Sequence, residues 1–469
     1  MVAAVITQAL ATATARQLED ELRAKRLSSR ELLDTYLARI DQLDQPINAV
    51  VTLDRERAYA AAARADDAAT RGEWLGPLHG LPITIKDAIE VAGVRSTGGA
   101  TELAEHVPAQ DAPSVGRLRS AGAIVFGKTN VPRWSGDVQT FNSLFGTTNN
   151  PWSVDRVPGG SSGGPAAAVA CGFTAFELGT DIGGSIRVPA HCCGIFGLKP
   201  SYGVISQRGY LDHVGGGHTD ADINVFGPLA RSAEDLELLL SVLAGPDSDR
   251  ALAWRLELPE PRHVGASDFR VGIWLDDAAC PVDRDELAVI QQSVDQLADA
   301  GARVEEAHPP VSFAEQVELF NHLVGAATSL HRPDDARDNP GGSHRAWLRA
   351  DDRRAHLRGI WREWFERYDA LICPVMATPA FPHNQEGTFD SRTVEINGTT
   401  RPYLDLVSWT GLIGVLGLPS AVPPIGRTSA GLPVGVQVVT AFLRDREAIQ
   451  LARIMAEVSG SGYQVPPGF

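Results

Sequence analysis

Between Pro158 and Pro189 the chain reads P-G-G-S-S-G-G-P, then a run of small residues, then G-T-D-I-G-G-S-I-R-V-P. Two serine-bearing glycine loops, at Ser161 and Ser185, are thereby held apart by an apolar segment, Ala166 to Phe176, that can pack as a helix. Glycine has no Cβ, so backbone N–H groups in such loops can crowd around a reacting atom, which is what a nucleophile site needs. A G-G-S-S-G-G run can also be a flexible linker, and glycine-rich loops can cradle phosphate. The apolar segment that follows is unlike a linker, and neither loop ends in the Gly-Lys-Ser/Thr of a phosphate-binding loop. Gly122 to Thr129, G-A-I-V-F-G-K-T, does match that pattern in letters. Ala123 to Phe126 is apolar and partly β-branched, however, and is expected to be strand where a phosphate cradle needs a loop.

Around these loops the chain alternates helix and strand. Leu18 and Leu22 repeat at helical spacing, Ser28 with Glu31 forms a capping box, and Arg55 to Arg71 is an alanine-rich helix. Ile83-Thr84-Ile85 reads as a strand ending at Lys86-Asp87. Helices are expected over Ser114 to Ala121, Ser232 to Ala244 and Asp445 to Val458, and strands over Val271 to Trp274, Leu371 to Cys373 and Val434 to Val439. This is the pattern of a layered α/β fold. With 469 residues one large domain or two lobes are possible, and no low-complexity linker divides them. Residues 1–469 are therefore read as a single domain, with Phe313 to Tyr368, broken at Asn339-Pro340-Gly341-Gly342, as an inserted cap or lid.

The charge narrows the partners. A net charge of −16 opposes the clustered Lys and Arg that nucleic-acid binding needs, and no stretch approaches a membrane span. Five cysteines without C-x-x-C or ligand-like spacing to histidine read as reduced thiols in a cytoplasmic protein, with no metal site. A serine nucleophile needs a base, and of 12 histidines only His191 is near Ser185. Lysine can serve if burial lowers its pKa, and Lys86 at the end of an apolar strand fits; the alternative is a surface lysine paired with Asp87.

Lys86 within P-I-T-I-K-D, Ser161 within G-G-S-S-G-G and Ser185 within G-T-D-I-G-G-S-I-R-V-P-A together resemble the amidase signature family of serine hydrolases, at spacings of 75 and 24 residues. G-P-L-H-G-L-P, G-K-T-N-V-P, F-G-T-T-N-N-P-W, G-L-K-P-S-Y-G and G-L-P-V-G-V-Q extend the likeness along most of the chain. Pro165 departs from it, standing where members often carry a polar or acidic residue. The resemblance implies a central twisted mixed β-sheet flanked by α-helices on both faces. It also implies Ser185 as nucleophile, Ser161 as a bridging serine preceded by a cis peptide, and Lys86 as base. The backbone N–H groups of Ile182, Gly183, Gly184 and Ser185 would form the oxyanion hole, with Ser162, Asp181 and Arg187 holding the loops. No cofactor is implied.

By the same likeness Ser135, Gly136 and Asp137 lie beside the acyl group, and Tyr403 to Leu418, with Trp409, wall the pocket, core packing being the alternative for Trp409 and Tyr403. Small residues at 135 and 136 leave space for a bulky group, which points to an aryl amide, anilide or carbamate substrate. The chain is expected to act on this small molecule as a monomer or homodimer. Family members that release ammonia from glutamine for a tRNA-bound partner share the triad. They usually carry D-x-x-T-x-x-x-N-L-A-G-L-P, where Asp405 to Pro419 here reads D-L-V-S-W-T-G-L-I-G-V-L-G-L-P.

Overall fold

The computed structural model describes residues 8–247, 249–331 and 342–469. It opens with two amphipathic helices, α1 (Ala15–Arg23) and α2 (Ser29–Leu43), each started by a capping box, Thr14 with Gln17 and Ser28 with Glu31. There follow β1 (Val50–Leu53), α3 (Arg55–Thr70), β2 (Pro82–Lys86), α4 (Pro113–Ser120) and β3 (Ile124–Thr129). β3 is parallel to β2 and antiparallel to β1, giving a three-stranded sheet of order β1-β3-β2. All six residues of β3 are buried, and Lys128 donates to the Ile89 carbonyl and the Ser96 hydroxyl. The phosphate-loop lettering there is that of a core strand.

The helix after the first serine loop, α5 (Gly163–Ala170), starts and ends earlier than its apolar run suggests. Gly163 and Gly164 are drawn into it because the space is closed to side chains: a Cβ on Gly164 would lie 2.9 Å from Asn130 Cα. It stops at Gly172, which takes φ +67° with the Ala11 carbonyl 2.8 Å from where a Cβ would stand. β4 (Glu177–Asp181), α6 (Arg187–Cys193), β5 (Phe196–Lys199), β6 (Val225–Ala230), α7 (Ala233–Leu243), β7 (Arg270–Ile273), α8 (Arg284–Asp299) and β8 (Arg303–Glu306) come next. The chain continues through α9 (Phe313–Ala327), α10 (His344–Trp364), β9 (Ala370–Pro374), α11 (Ser408–Gly414), β10 (Ser420–Val422), β11 (Pro424–Arg427), β12 (Pro433–Val439) and α12 (Asp445–Ser459).

The large sheet has nine strands, in the order β8-β7-β9-β12-β10-β5-β6-β4 with β11 also paired to β12. β7 runs parallel to both β8 and β9; the other pairings are antiparallel, so the sheet is mixed. Side chains alternate across it as a pleated strand requires. On β9, Ala370 and Ile372 join one core with Ile449 and Leu451 of α12, while Leu371 and Cys373 join the other with Trp361 and Trp409. Helices therefore cover both faces. α9 and α10 carry most of the segment expected as a cap, and their Phe320, Leu323, Trp361 and Trp364 belong to that second core. Asn339, Pro340 and Gly341 of the expected break lie outside the described residues.

Candidate active site

β2 ends on Lys86, whose side chain is fully buried. Its Nζ lies within hydrogen-bond distance of Ser161 Oγ and Thr180 Oγ1, at 2.7 Å each, and of Ser162 Oγ at 3.0 Å. A surface pair with Asp87 is thereby ruled out, since the Asp87 carboxylate turns to the amides and hydroxyl around Thr97. Burial drives the Lys86 ammonium well below its ordinary value, against the opposing pull of the Asp181 and Glu177 carboxylates. A lysine caged by three hydroxyls in a dry site is suited to the neutral form, which has a lone pair to accept a proton.

Ser161 follows a cis peptide from Gly160, where any side chain would strike the backbone of the cavity segment: a Cβ would lie 2.5 Å from the Asp137 carbonyl oxygen. The Ser162 N–H donates to the Ser185 carbonyl at 3.2 Å, fastening the two serine loops together. The second loop leaves β4 at Asp181 and is shaped by that carboxylate, which accepts from the amides of Gly184 at 2.8 Å and Ile186 at 3.1 Å. Asp181 also takes Arg187 Nη2 at 2.8 Å and Nε at 3.0 Å. Burial alone would raise the Asp181 pKa, but the Arg187 guanidinium outweighs it and brings the group to about 2. Arg187 then reaches the Thr410 carbonyl at 2.8 Å and Gln437 Oε1 at 2.7 Å, so β4, α11 and β12 are tied through one buried charge.

Of the four amides expected to face an oxyanion, that of Gly184 is already engaged by Asp181. Those of Ile182, Gly183 and Ser185 have no protein acceptor among the described residues. Gly184 instead supplies conformation: its φ is +109°, and a Cβ there would lie 2.6 Å from Thr410 Oγ1. Thr410 Oγ1 in turn donates to the Gly183 carbonyl at 2.9 Å and fixes the loop from outside.

Ser185 opens onto a cavity of about 590 Å³ whose lining includes Ile182, Gly183 and Trp134 to Val138. Ser135, Gly136 and Asp137 are among the residues that line this cavity. Trp134 and Ser135 adopt φ of 54° and 55°, a conformation costing roughly 1–3 kcal/mol per residue for side chains other than glycine. The Asp137 carboxylate is occupied: Tyr403 donates to it at 2.8 Å and Arg392 pairs with it at 2.5 Å. Trp409 does not line the cavity. It is fully buried against Phe313 and Trp274, with its Nε1 donating to the Cys280 carbonyl, so core packing is its role.

Sequence reasoning missed Thr180, Tyr210, Phe320 and Thr410. Thr180 stands inside the second glycine motif, adjacent to Asp181, and its alternation with that residue along β4 was the available signal. Phe320 and Tyr210 carry no motif; only the fold brings them to the cavity.

A family model described as Amidase matches residues 31–340 and 331–449. A glutamyl-tRNA(Gln) amidotransferase subunit of Picosynechococcus sp. is 30% identical, over 96% of this chain and 99% of that relative. Its counterpart in Roseiflexus sp. is 33% identical, over 88% and 89% respectively. Among solved structures, a bacterial aryl acylamidase of the amidase signature enzymes superposes with a TM-score of 0.84 at 25% identity, over 97% of this chain and 99% of that one.

Proposed function

The chain belongs to the amidase signature family, and on that premise we propose that it hydrolyses the C–N bond of apolar aryl amides, anilides or carbamates through an acyl-enzyme on Ser185. The observation that supports this most is a lysine caged by three hydroxyls behind a serine loop that faces a cavity walled by Phe320, Val324, Leu404 and Val407. In this reading Ser185 Oγ bonds to the substrate carbonyl carbon, its proton passes to Ser161 Oγ, and the Ser161 proton passes to neutral Lys86. The amides of Ile182, Gly183 and Ser185 receive the oxyanion. Collapse breaks the C–N bond while the proton returns through Ser161 to the departing nitrogen, so the amine leaves neutral. Water then adds to the acyl carbon with the same relay taking its proton, and the carboxylic product and free Ser185 are released.

A second reading, glutamine hydrolysis within an amidotransferase, has the function of the curated relatives in its favour. Against it, the cavity lining has Asp137, Asp212 and Asp390 but no Lys or Arg among the described residues to meet the α-carboxylate of glutamine. The test is turnover of an anilide, an aryl carbamate and glutamine by the purified chain. We expect the first two to be cleaved and Ser185→Ala or Lys86→Ala to lose on the order of 10³-fold or more in kcat. Residual full activity in Ser185→Ala would place the chemistry elsewhere, and exclusive, partner-dependent glutaminase activity would replace this reading with the second.

A further inference from the structure

α9 lines the cavity with Phe320, Asn321, Val324, Gly325 and Ala327, and its apolar side chains Phe320, Val324 and Ala327 are spaced four and three residues apart as one helix face requires. Phe320 is nearest the reacting loop. Its Cζ is 3.3 Å from the point where a Gly183 Cβ would stand, and Gly183 lies between Ile182 and Gly184 in the oxyanion segment. The ring is seated in a recess on α11 that only glycine can leave open: a Cβ on Gly411 would lie 2.5, 2.7 and 2.9 Å from Phe320 Cδ1, Cε1 and Cγ. The helix has little freedom to carry the ring away. One turn before Phe320, Gln316 donates to the Leu412 carbonyl and accepts from Trp361 Nε1, pinning α9 to α11 and α10.

From this geometry we infer that Phe320, seated against Gly411, is a specificity-determining residue that excludes acyl groups branched at the carbon next to the scissile carbonyl. The inference rests on Ser185 as the acylated residue. A leaving amine must depart before the deacylating water can enter, so it belongs toward the open mouth, and the group that stays on Ser185 lies against the Phe320, Val324 and Ala327 side of α9. Along that wall the side chains shrink from Phe320 to Val324 to Ala327, so width is restricted beside the carbonyl and relaxed farther out. The substrate class that fits has an unbranched first acyl carbon, with aromatic bulk on the amine side or at least one carbon removed.

The test compares p-nitrophenyl butyrate with p-nitrophenyl isobutyrate, which share composition and leaving group and differ only in branching at the α-carbon. The parent should prefer butyrate. Phe320→Ala and the milder Phe320→Leu should raise the isobutyrate-to-butyrate ratio of kcat/KM by roughly tenfold or more, the scale on which pockets discriminate single carbon groups. Gly411→Ala, which forces the ring toward the cavity, should lower the same ratio. A merely structural role would depress both esters alike and leave the ratio unchanged in every folded variant, which overturns the inference. Mass spectrometry after treatment with an alkyl fluorophosphonate separates the two levels of the argument. A parent labelled on Ser185 whose ratio none of the three variants alters refutes the role of Phe320 alone, whereas a parent not labelled on Ser185 refutes the nucleophile assignment and the inference with it.

Discussion

At the scale of single residues, the site turns on a lysine that water cannot reach. Because the proposed relay needs Lys86 neutral and burial lowers its pKa, kcat/KM should rise with pH through a limb lying well below the ordinary lysine range. Glu177 lies behind it, accepting from Thr84 Oγ1 at 2.6 Å and Thr129 Oγ1 at 2.9 Å, and burial raises it to about 7. When ionised it favours protonated Lys86, so Glu177→Gln, which keeps an acceptor and removes the charge, should move the activity limb to lower pH, by less than about one unit. The same variant has a stability signature. A carboxyl with a raised folded pKa contributes stability that is complete below its unfolded value of about 4.3 and is lost as pH rises through about 7. Denaturant titrations across that window should therefore be flatter for Glu177→Gln, by on the order of 3 kcal/mol. The spacing of Lys86, Ser161 and Ser185 made these residues legible in the sequence. The depth of Lys86 was not, because a lysine next to an aspartate reads equally well as a surface pair until the hydroxyls of β4 and of the serine loop before α5 are brought to it.

At the scale of elements, helix starts were readable and helix faces only partly so. Ser28 with Glu31 announces the beginning of α2 because a capping box satisfies specific backbone groups locally. Ser408–Gly414 announces nothing comparable: S-W-T-G-L-I-G has no polar face, every residue is buried, and no periodicity says which side faces which neighbour. That is why Trp409 reads as a pocket wall from its position while packing into the core. The pairing of α9 with α11 is similarly long-range, resting on Gln316, 96 residues from its acceptor Leu412. Gln316→Ala should leave that buried carbonyl unmatched and cost about 1–3 kcal/mol in denaturant unfolding. Because α9 carries Phe320, a looser ester-branching preference should accompany the loss.

At the scale of the whole molecule, one buried ion pair joins parts of the chain that are far apart in sequence. Arg187 bonds Asp181 at the end of β4, Thr410 on α11 and Gln437 on β12. Asp181→Asn would leave the guanidinium without its counter-charge and should destabilise the fold by about 3–5 kcal/mol, read by denaturant unfolding at neutral pH. Since the Asp181 pKa is depressed to about 2, its contribution in the parent is present above the unfolded value of about 3.9 and fades as pH falls through about 2, so the gap between parent and variant should narrow there by about 2.6 kcal/mol. An α/β architecture was foreseeable from alternating helix and strand patterns, but the strand order was not, because periodicity within a strand carries no information about its neighbours. The order has a consequence for synthesis. β12, Pro433–Val439, sits between β9 and β10 at the middle of the large sheet and supplies Gln437 to Arg187. A chain still on the ribosome holds Lys86, Ser161 and Ser185 long before the strand that closes the sheet around their loops has emerged. Newly made polypeptide should therefore remain inert until Pro433–Val439 has been released, and activity should appear abruptly once that strand has paired.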